Sequence, residues 1–202
     1  MDRVMIFIDG SNLYHGLEEY IGRHRMHYDC FCNLLCREAE HLLDGENKRL
    51  VHTHYYNVPL RQHDDPKQYA AQRKFFANLE AIPHLTLHRG RLVDRDRENS
   101  CPECGHKYVQ PYRIEKGVDV QLASHLLVHA FDNQYDTAIL VSRDGDFAPV
   151  VHEVLRLGKT VINADFPLLD DRGRPTNQRT FLSQSCDGAI ILTRELLAPC
   201  LF

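Results

Sequence analysis

No stretch of this 202-residue chain stays apolar long enough to cross a bilayer, so a membrane-spanning helix is excluded. Nor does a charged leader with a long apolar segment and a small-residue cleavage site open the sequence, where Arg3-Val4 already reads as strand; a cytoplasmic protein is expected. Positive charge is not in excess. A net charge of −4 argues against broad, salt-driven adhesion to nucleic acid, while leaving room for a local basic face beside an acidic, metal-filled pocket. The seven cysteines are odd in number and accompany no export signal, so reduced thiols or a metal knuckle are expected in place of a disulfide scaffold. There is no internal repeat and no low-complexity tract. The length suits one domain over residues 1–202, with a cysteine-containing insertion at about 94–113.

What is present alternates short β-branched runs with helical periodicity, the pattern of a three-layer α/β/α fold around a mainly parallel sheet. Strands are expected near 4–8, 50–58, 85–92, 138–141, 160–163 and 189–192. Val4-Met5-Ile6-Phe7-Ile8 and Ala138-Ile139-Leu140-Val141 are apolar at every position, as central strands buried on both faces should be. The run at 50 carries His52, Thr53, His54 and Tyr55, which suggests a place nearer an edge or one crossed by another segment. Helices are expected near 12–20, 30–43, 66–79, 118–131, 147–157 and 178–185, with Asp65-Pro66 as a start signal and Gly158 as a stop. Two polar segments break the alternation and read as long loops: 94–113 and 165–180.

Acids end the central strands. Asp9 follows the first, and Asp144 and Asp146 follow Thr137–Val141 in Ser142-Arg143-Asp144-Gly145-Asp146-Phe147; the carboxyl ends of strands line the ligand crevice of an open α/β sheet. Asp119 opens the helix whose buried face carries Leu122, Ala123, Leu126 and Ala130, so it points at the same rim. Each acid alone has a local explanation, as a turn residue, an N-cap or a complement to a helix dipole. Together they form a cluster of like charges that needs protons or a cation, and hard oxygen ligands select Mg²⁺ or Mn²⁺. Phosphodiester hydrolysis is the chemistry such a centre performs.

Phe7-Ile8-Asp9-Gly10-Ser11-Asn12-Leu13, then Glu115-Lys116-Gly117-Val118-Asp119-Val120, then Ala138 to Phe147 with Gly158-Lys159-Thr160-Val161, resembles the NYN domain in its LabA/DUF88 branch, related to PIN nucleases. The resemblance runs from about Val4 to Leu192. It implies a PIN-like fold and a metal-dependent ribonuclease site with Asp9, Asp119, Asp144 and Asp146 as metal ligands, and Asn12 orienting Asp9 or touching a phosphate oxygen. Ser142 and Lys116 are further candidates for phosphate contact. Arg143 stands where a small glycine is often found, a place from which it would supply a phosphate contact or crowd the site, and His125 stands where many relatives carry another acid, which bears on a second metal. By resemblance, cleavage leaves 5′-phosphate and 3′-hydroxyl ends.

Cys101-x-x-Cys104 with Gly105-His106 is a knuckle that offers two thiolates to a structural Zn²⁺; His106, His88, one of Cys30, Cys32 and Cys36, or a partner chain would have to complete it. His52, His54, His84 and His88 read as packing or surface residues. Arg89, Arg91, Arg95 and Arg97, with Arg172, Arg174 and Arg179, are candidates for holding a nucleic-acid backbone. The chain lacks the second acid of a haloacid-dehalogenase-type phosphatase, since Ser11 stands there, and has neither a glycine-rich dinucleotide turn nor a P-loop lysine. The resemblance alone makes RNA the expected partner; a homo-oligomer is left open, and the rival reading is an RNA-binding or regulatory module that turns over little.

Overall fold

The computed structural model of the chain describes residues 1–22, 25–43, 47–176 and 178–202. Strand β1 (Asp2–Asp9) leads into α1 (Gly10–Gly16), continued by a π-type turn over Leu17–Ile21, then α2 (Tyr28–Leu42), β2 (Lys48–Asn57), α3 (Pro66–Glu80) and β3 (Leu85–Arg89). Next come β4 (Arg91–Ser100), β5 (Lys107–Lys116), α4 (Val118–Phe131) and β6 (Thr137–Val141). A 3₁₀ turn (Gly145–Phe147), α5 (Ala148–Arg156), β7 (Thr160–Asp165), α6 (Phe181–Gln184), β8 (Gly188–Ile191), α7 (Arg194–Leu197) and a last 3₁₀ turn (Ala198–Cys200) complete the order. Six strands form one all-parallel sheet in the order β3-β2-β1-β6-β7-β8, with helices on both faces, which is the expected three-layer α/β/α architecture.

Strand alternation divides the core. Val4, Ile6 and Ile8 face α1, α2, α3 and α7, while Met5 and Phe7 face α4 and α5, so β1 has no polar face and must lie inside the sheet. The chain order runs outward in both directions from the β1/β6 pair, which makes the carboxyl ends of these two strands the topological switch point. β2 lies next to the edge strand β3, nearer an edge as its polar residues suggest, but it is covered on both faces. That strand lies between β1 and β3, and Thr53, His54, Tyr55 and Tyr56 are buried.

Residues 94–113 are not a loop. β4 and β5 pair antiparallel from Arg91↔Lys116 to Ser100↔Lys107 and project from the sheet as a two-stranded ribbon with Cys101–His106 at its tip. A ribbon of this kind is held by its backbone ladder and buries little, so it carries no hydrophobic period to announce it. The cysteine reading is also corrected for one pair: Cys30 of α2 and Cys200 form a disulfide across 170 residues of sequence. Cys32, Cys36 and Cys186 are buried thiols, and burial pushes Cys32 and Cys186 up to about 12, where neither is a nucleophile. Among the described residues no helix is long and apolar enough to cross a membrane.

Candidate active site

The two rims of the sheet treat acids differently. At the amino ends of the strands, the Arg3 guanidinium holds Asp136 in two contacts of 2.7 and 2.9 Å and keeps its carboxyl well below the usual range, while buried Lys48 pairs with Asp2. At the carboxyl ends, Asp9, Asp119, Asp144 and Asp146 pair with no arginine or lysine among the described residues. Burial first, and then the charges of Asp9, Asp144 and Asp146, raise the Asp119 carboxyl; no nearby cation offsets them. The four predicted acids are thus brought together from β1, α4 and the turn after β6.

Each is also locally anchored. Asp9 caps α1, its Oδ1 accepting from the Asn12 backbone N–H at 3.1 Å, while Oδ2 accepts from Asn12 Nδ2 at 2.7 Å and from Ser142 Oγ at 3.1 Å. Ser142 is buried and in turn accepts the Asp144 N–H at 3.1 Å, so its hydroxyl ties the end of β1 to the turn after β6. Asp144 caps the 3₁₀ turn by accepting the Asp146 N–H at 2.9 Å. Asp119 is carried on α4 two residues beyond Gly117, whose φ of 89° turns the ribbon into the helix; that left-handed conformation favours glycine.

Three predicted contacts differ in detail. The Arg143 guanidinium is engaged by Asp165 (Nε to Oδ2, 3.1 Å) and by the Phe166 carbonyl (3.2 Å), while its backbone N–H donates to Asn12 Oδ1 at 3.3 Å. It braces the rim between the turn after β6 and the end of β7. Lys116 is exposed at the end of β5, opposite Arg91. His125 does not join the acids: its Nδ1 meets the Tyr56 hydroxyl at 2.9 Å under α4. The zinc knuckle is not completed by the cysteines of α2. Cys101 and Cys104 sit at the ribbon tip, where Cys101 is joined to His106 and Gly105 through backbone hydrogen bonds, but Cys30 is in the disulfide and Cys32 and Cys36 are buried in α2. Among the described residues no third side chain gathers a metal with that knuckle.

Two acids were missed. Glu115, at the end of β5, is raised by burial and then by the charges of Asp9 and Asp119, which puts a fifth carboxylate in the cluster. Its position depends on the ribbon returning to the rim, which residue spacing does not reveal. Asp165 ends β7 and is buried, and burial raises it against the pull of Arg143. The rule that singled out Asp9, an acid closing an apolar strand, would have found it.

In metal-free buffer the fold is expected to lose stability as pH rises from the ordinary carboxylate range through the raised titrations of Asp119 and Glu115. Over that window the folded state binds more protons than the unfolded chain, so the slope is negative. Asp136, with its lowered pKa, contributes stability in the opposite direction, so the comparison of wild type with Asp119→Asn isolates the effect. Urea midpoints across pH should show the negative contribution in wild type, its reduction in the variant and its removal by Mn²⁺. A wild-type curve superimposing on that of Asp119→Asn would show that the carboxylates do not interact.

The NYN domain family model matches residues 3–193, nearly the whole chain. The fold is similar to the crystal structure of a protein of unknown function from Vibrio parahaemolyticus, with a TM-score of 0.61 and 22% identity over 100% of this chain and 96% of that one. No curated protein matches. With the motif acids collected at the switch point of an all-parallel sheet, and with the family model spanning almost every element of it, the chain belongs to the NYN domain family of the PIN-like superfamily.

Proposed function

We propose that this protein is a metal-dependent ribonuclease that hydrolyses RNA phosphodiester bonds to 5′-phosphate and 3′-hydroxyl products, with Asp9, Asp119, Asp144 and Asp146 holding Mg²⁺ or Mn²⁺. NYN domains are nuclease-type modules that generally act on RNA, and the three motifs favour the LabA/DUF88 branch. The observation that carries the reading is the uncompensated convergence of carboxylates on Asp119. An all-carboxylate donor set fits a hard divalent cation and no softer one. Such an ion supplies Lewis-acid polarisation of a phosphoryl oxygen and activation of the attacking water.

The chain's own residues prepare that site. Asn12 and Ser142 occupy three of the roughly four acceptor positions of Asp9, which fixes its rotamer and leaves one lone pair on Oδ1. Asp144 is oriented by its capping hydrogen bond, and Asp119 by the helix start. Glu115 adds charge at the ribbon side.

Substrate grip is assigned to one face of the ribbon. Cross-strand pairing puts Arg91, Arg95 and Arg97 on the same face as Tyr108, Tyr112 and Lys116, a mixture suited to phosphates and stacked bases. Replacing Arg95 and Arg97 with alanine is expected to weaken RNA binding and to flatten the plot of log affinity against log salt by about 1.4, from about 0.7 per lost single-strand phosphate contact. An unchanged slope would remove the ribbon from the RNA path.

A second reading rests on His125. Because it turns under α4, that helix offers the cluster Asp119 alone, and an RNA-binding module of low turnover would need no more. Cleavage of single-stranded and structured RNA across a Mg²⁺ and Mn²⁺ titration separates the two: turnover that requires the ion supports the nuclease, and binding without turnover supports the module.

A further inference from the structure

A second group of metal-ligating side chains lies beneath the acidic rim, on the α4 side of the sheet, and the ribonuclease reading makes no use of it. His54 on β2, His88 on β3 and His125 on α4 each present a ring nitrogen, and the three atoms lie within 4.8 Å of one another. His54 Nδ1 and His88 Nε2 face each other at 2.9 Å. The Tyr56 hydroxyl meets His125 Nδ1 at 2.9 Å, and His129 stacks on His54 with ring centroids 4.8 Å apart.

Three features distinguish this group from ordinary packing. His54 is 7% exposed and its Nε2 has no hydrogen-bond partner, an unsatisfied polar atom in a place where such atoms are costly. No carboxylate is paired with His54, His88 or His125 among the described residues. The three rings also crowd one small space, with His54–His88, His88–His125 and His54–His125 centroids 5.1, 4.6 and 5.9 Å apart. Imidazoles facing one another with a nitrogen to spare suit a borderline Lewis acid better than they suit each other.

We propose that His54, His88 and His125 form a binding site for a transition ion of the Zn²⁺ type, one ring from each of β2, β3 and α4, with the Tyr56 hydroxyl as the outer partner of His125. Zinc–nitrogen bonds of about 2.0–2.1 Å put tetrahedral ligands roughly 3.4 Å apart, so the widest pair closes by no more than about 1.4 Å while the facing His54 and His88 nitrogens open by about 0.5 Å. Water fills the fourth position. The ion ties α4 to the edge of the sheet and so fixes the helix whose first turn carries Asp119. Nitrogen ligands separate this site from the all-oxygen rim above it, and the two select different metals.

The test needs no RNA and is independent of whether the protein cleaves it. Chelator-treated protein is titrated with Zn²⁺ against a chromophoric competitor, and with Co²⁺ followed by absorbance. Wild type is expected to bind one equivalent at this site, with visible Co²⁺ bands and no thiolate charge-transfer band. The signal should persist in Asp9→Asn and in the Cys101→Ser/Cys104→Ser double variant. It should weaken about 10-fold in Tyr56→Phe, which keeps the ring and removes the outer-shell contact, and by more than about 100-fold in His88→Ala and in His125→Ala. Absence of stoichiometric binding in wild type, a thiolate band lost with the cysteines, or binding retained in both histidine variants would each overturn the site.

Discussion

Asp9→Asn and Asp144→Asn are each expected to reduce divalent-dependent RNA cleavage by roughly 10²–10³-fold, the loss that follows removal of one preorganised electrostatic contact from a phosphoryl-transfer site. The fold should survive both. An asparagine at position 9 still offers an acceptor to the Asn12 N–H and remains a good N-cap, and an asparagine at 144 can still cap the turn that begins at Gly145. Because the Asp119 carboxyl is raised by the charges of Asp9 and Asp144, deleting either charge lowers its titration and relieves repulsion in the metal-free state. The diagnostic result is opposite movement in Asp144→Asn, whose side chain has only the Asp146 N–H to satisfy: cleavage falls while the metal-free melting temperature holds or rises. Single-turnover cleavage in Mn²⁺ and thermal melts in chelator, on the same preparations, measure both. Unchanged cleavage in both variants would assign the activity to a contaminant and end the nuclease proposal.

The parts of this architecture that could be read from residues are those whose burial leaves a pattern. β1 and β6 are continuous apolar runs because helices cover both of their faces, and the acids that close them are visible because polarity returns abruptly at Asp9 and Asp144. The helix starting at Pro66 was legible through its cap, with Asp65 accepting the Gln68 N–H at 2.9 Å. The ribbon was not, since a two-stranded element held by backbone pairing tolerates charge at nearly every position. The histidines of β2 are ambiguous in sequence, between packing and surface, for the opposite reason. His54 is as polar as a surface residue, yet it is buried against Phe7, His88 and His129, and only the packing of α4 over the sheet edge shows this. Cys30 and Cys200 lie at opposite ends of the chain, and no local signal reports such a pairing.

Gly10→Ala is expected to destabilise the protein by about 3 kcal/mol, the upper part of the range for overpacking a filled core. Gly10 begins α1 and is buried where the chain leaves β1 and passes over the end of β2. A methyl there would lie 2.5 Å from Tyr55 Cε1, 2.6 Å from the Tyr56 carbonyl oxygen and 2.7 Å from Asn57 Nδ2. The backbone oxygen belongs to a strand paired on both sides, and the Tyr55 ring is wedged edge-on against Tyr28 and Phe75, with centroids 5.5 and 5.9 Å away. Neither can give, so α1 must move. Asn12 would move with it, loosening the two hydrogen bonds that orient Asp9, and cleavage should fall further than stability does at a temperature where the variant is still folded. In a helix without this crowding the same change would stabilise by about 1 kcal/mol, so the sign of the effect is itself informative. At 2–4 °C for each kcal/mol in a chain of this size, the melting temperature should drop by roughly 6–12 °C. A melting temperature equal to or above that of wild type would mean that α1 does not press against the end of β2, and that Asp9 owes its orientation to something other than the close approach at Gly10.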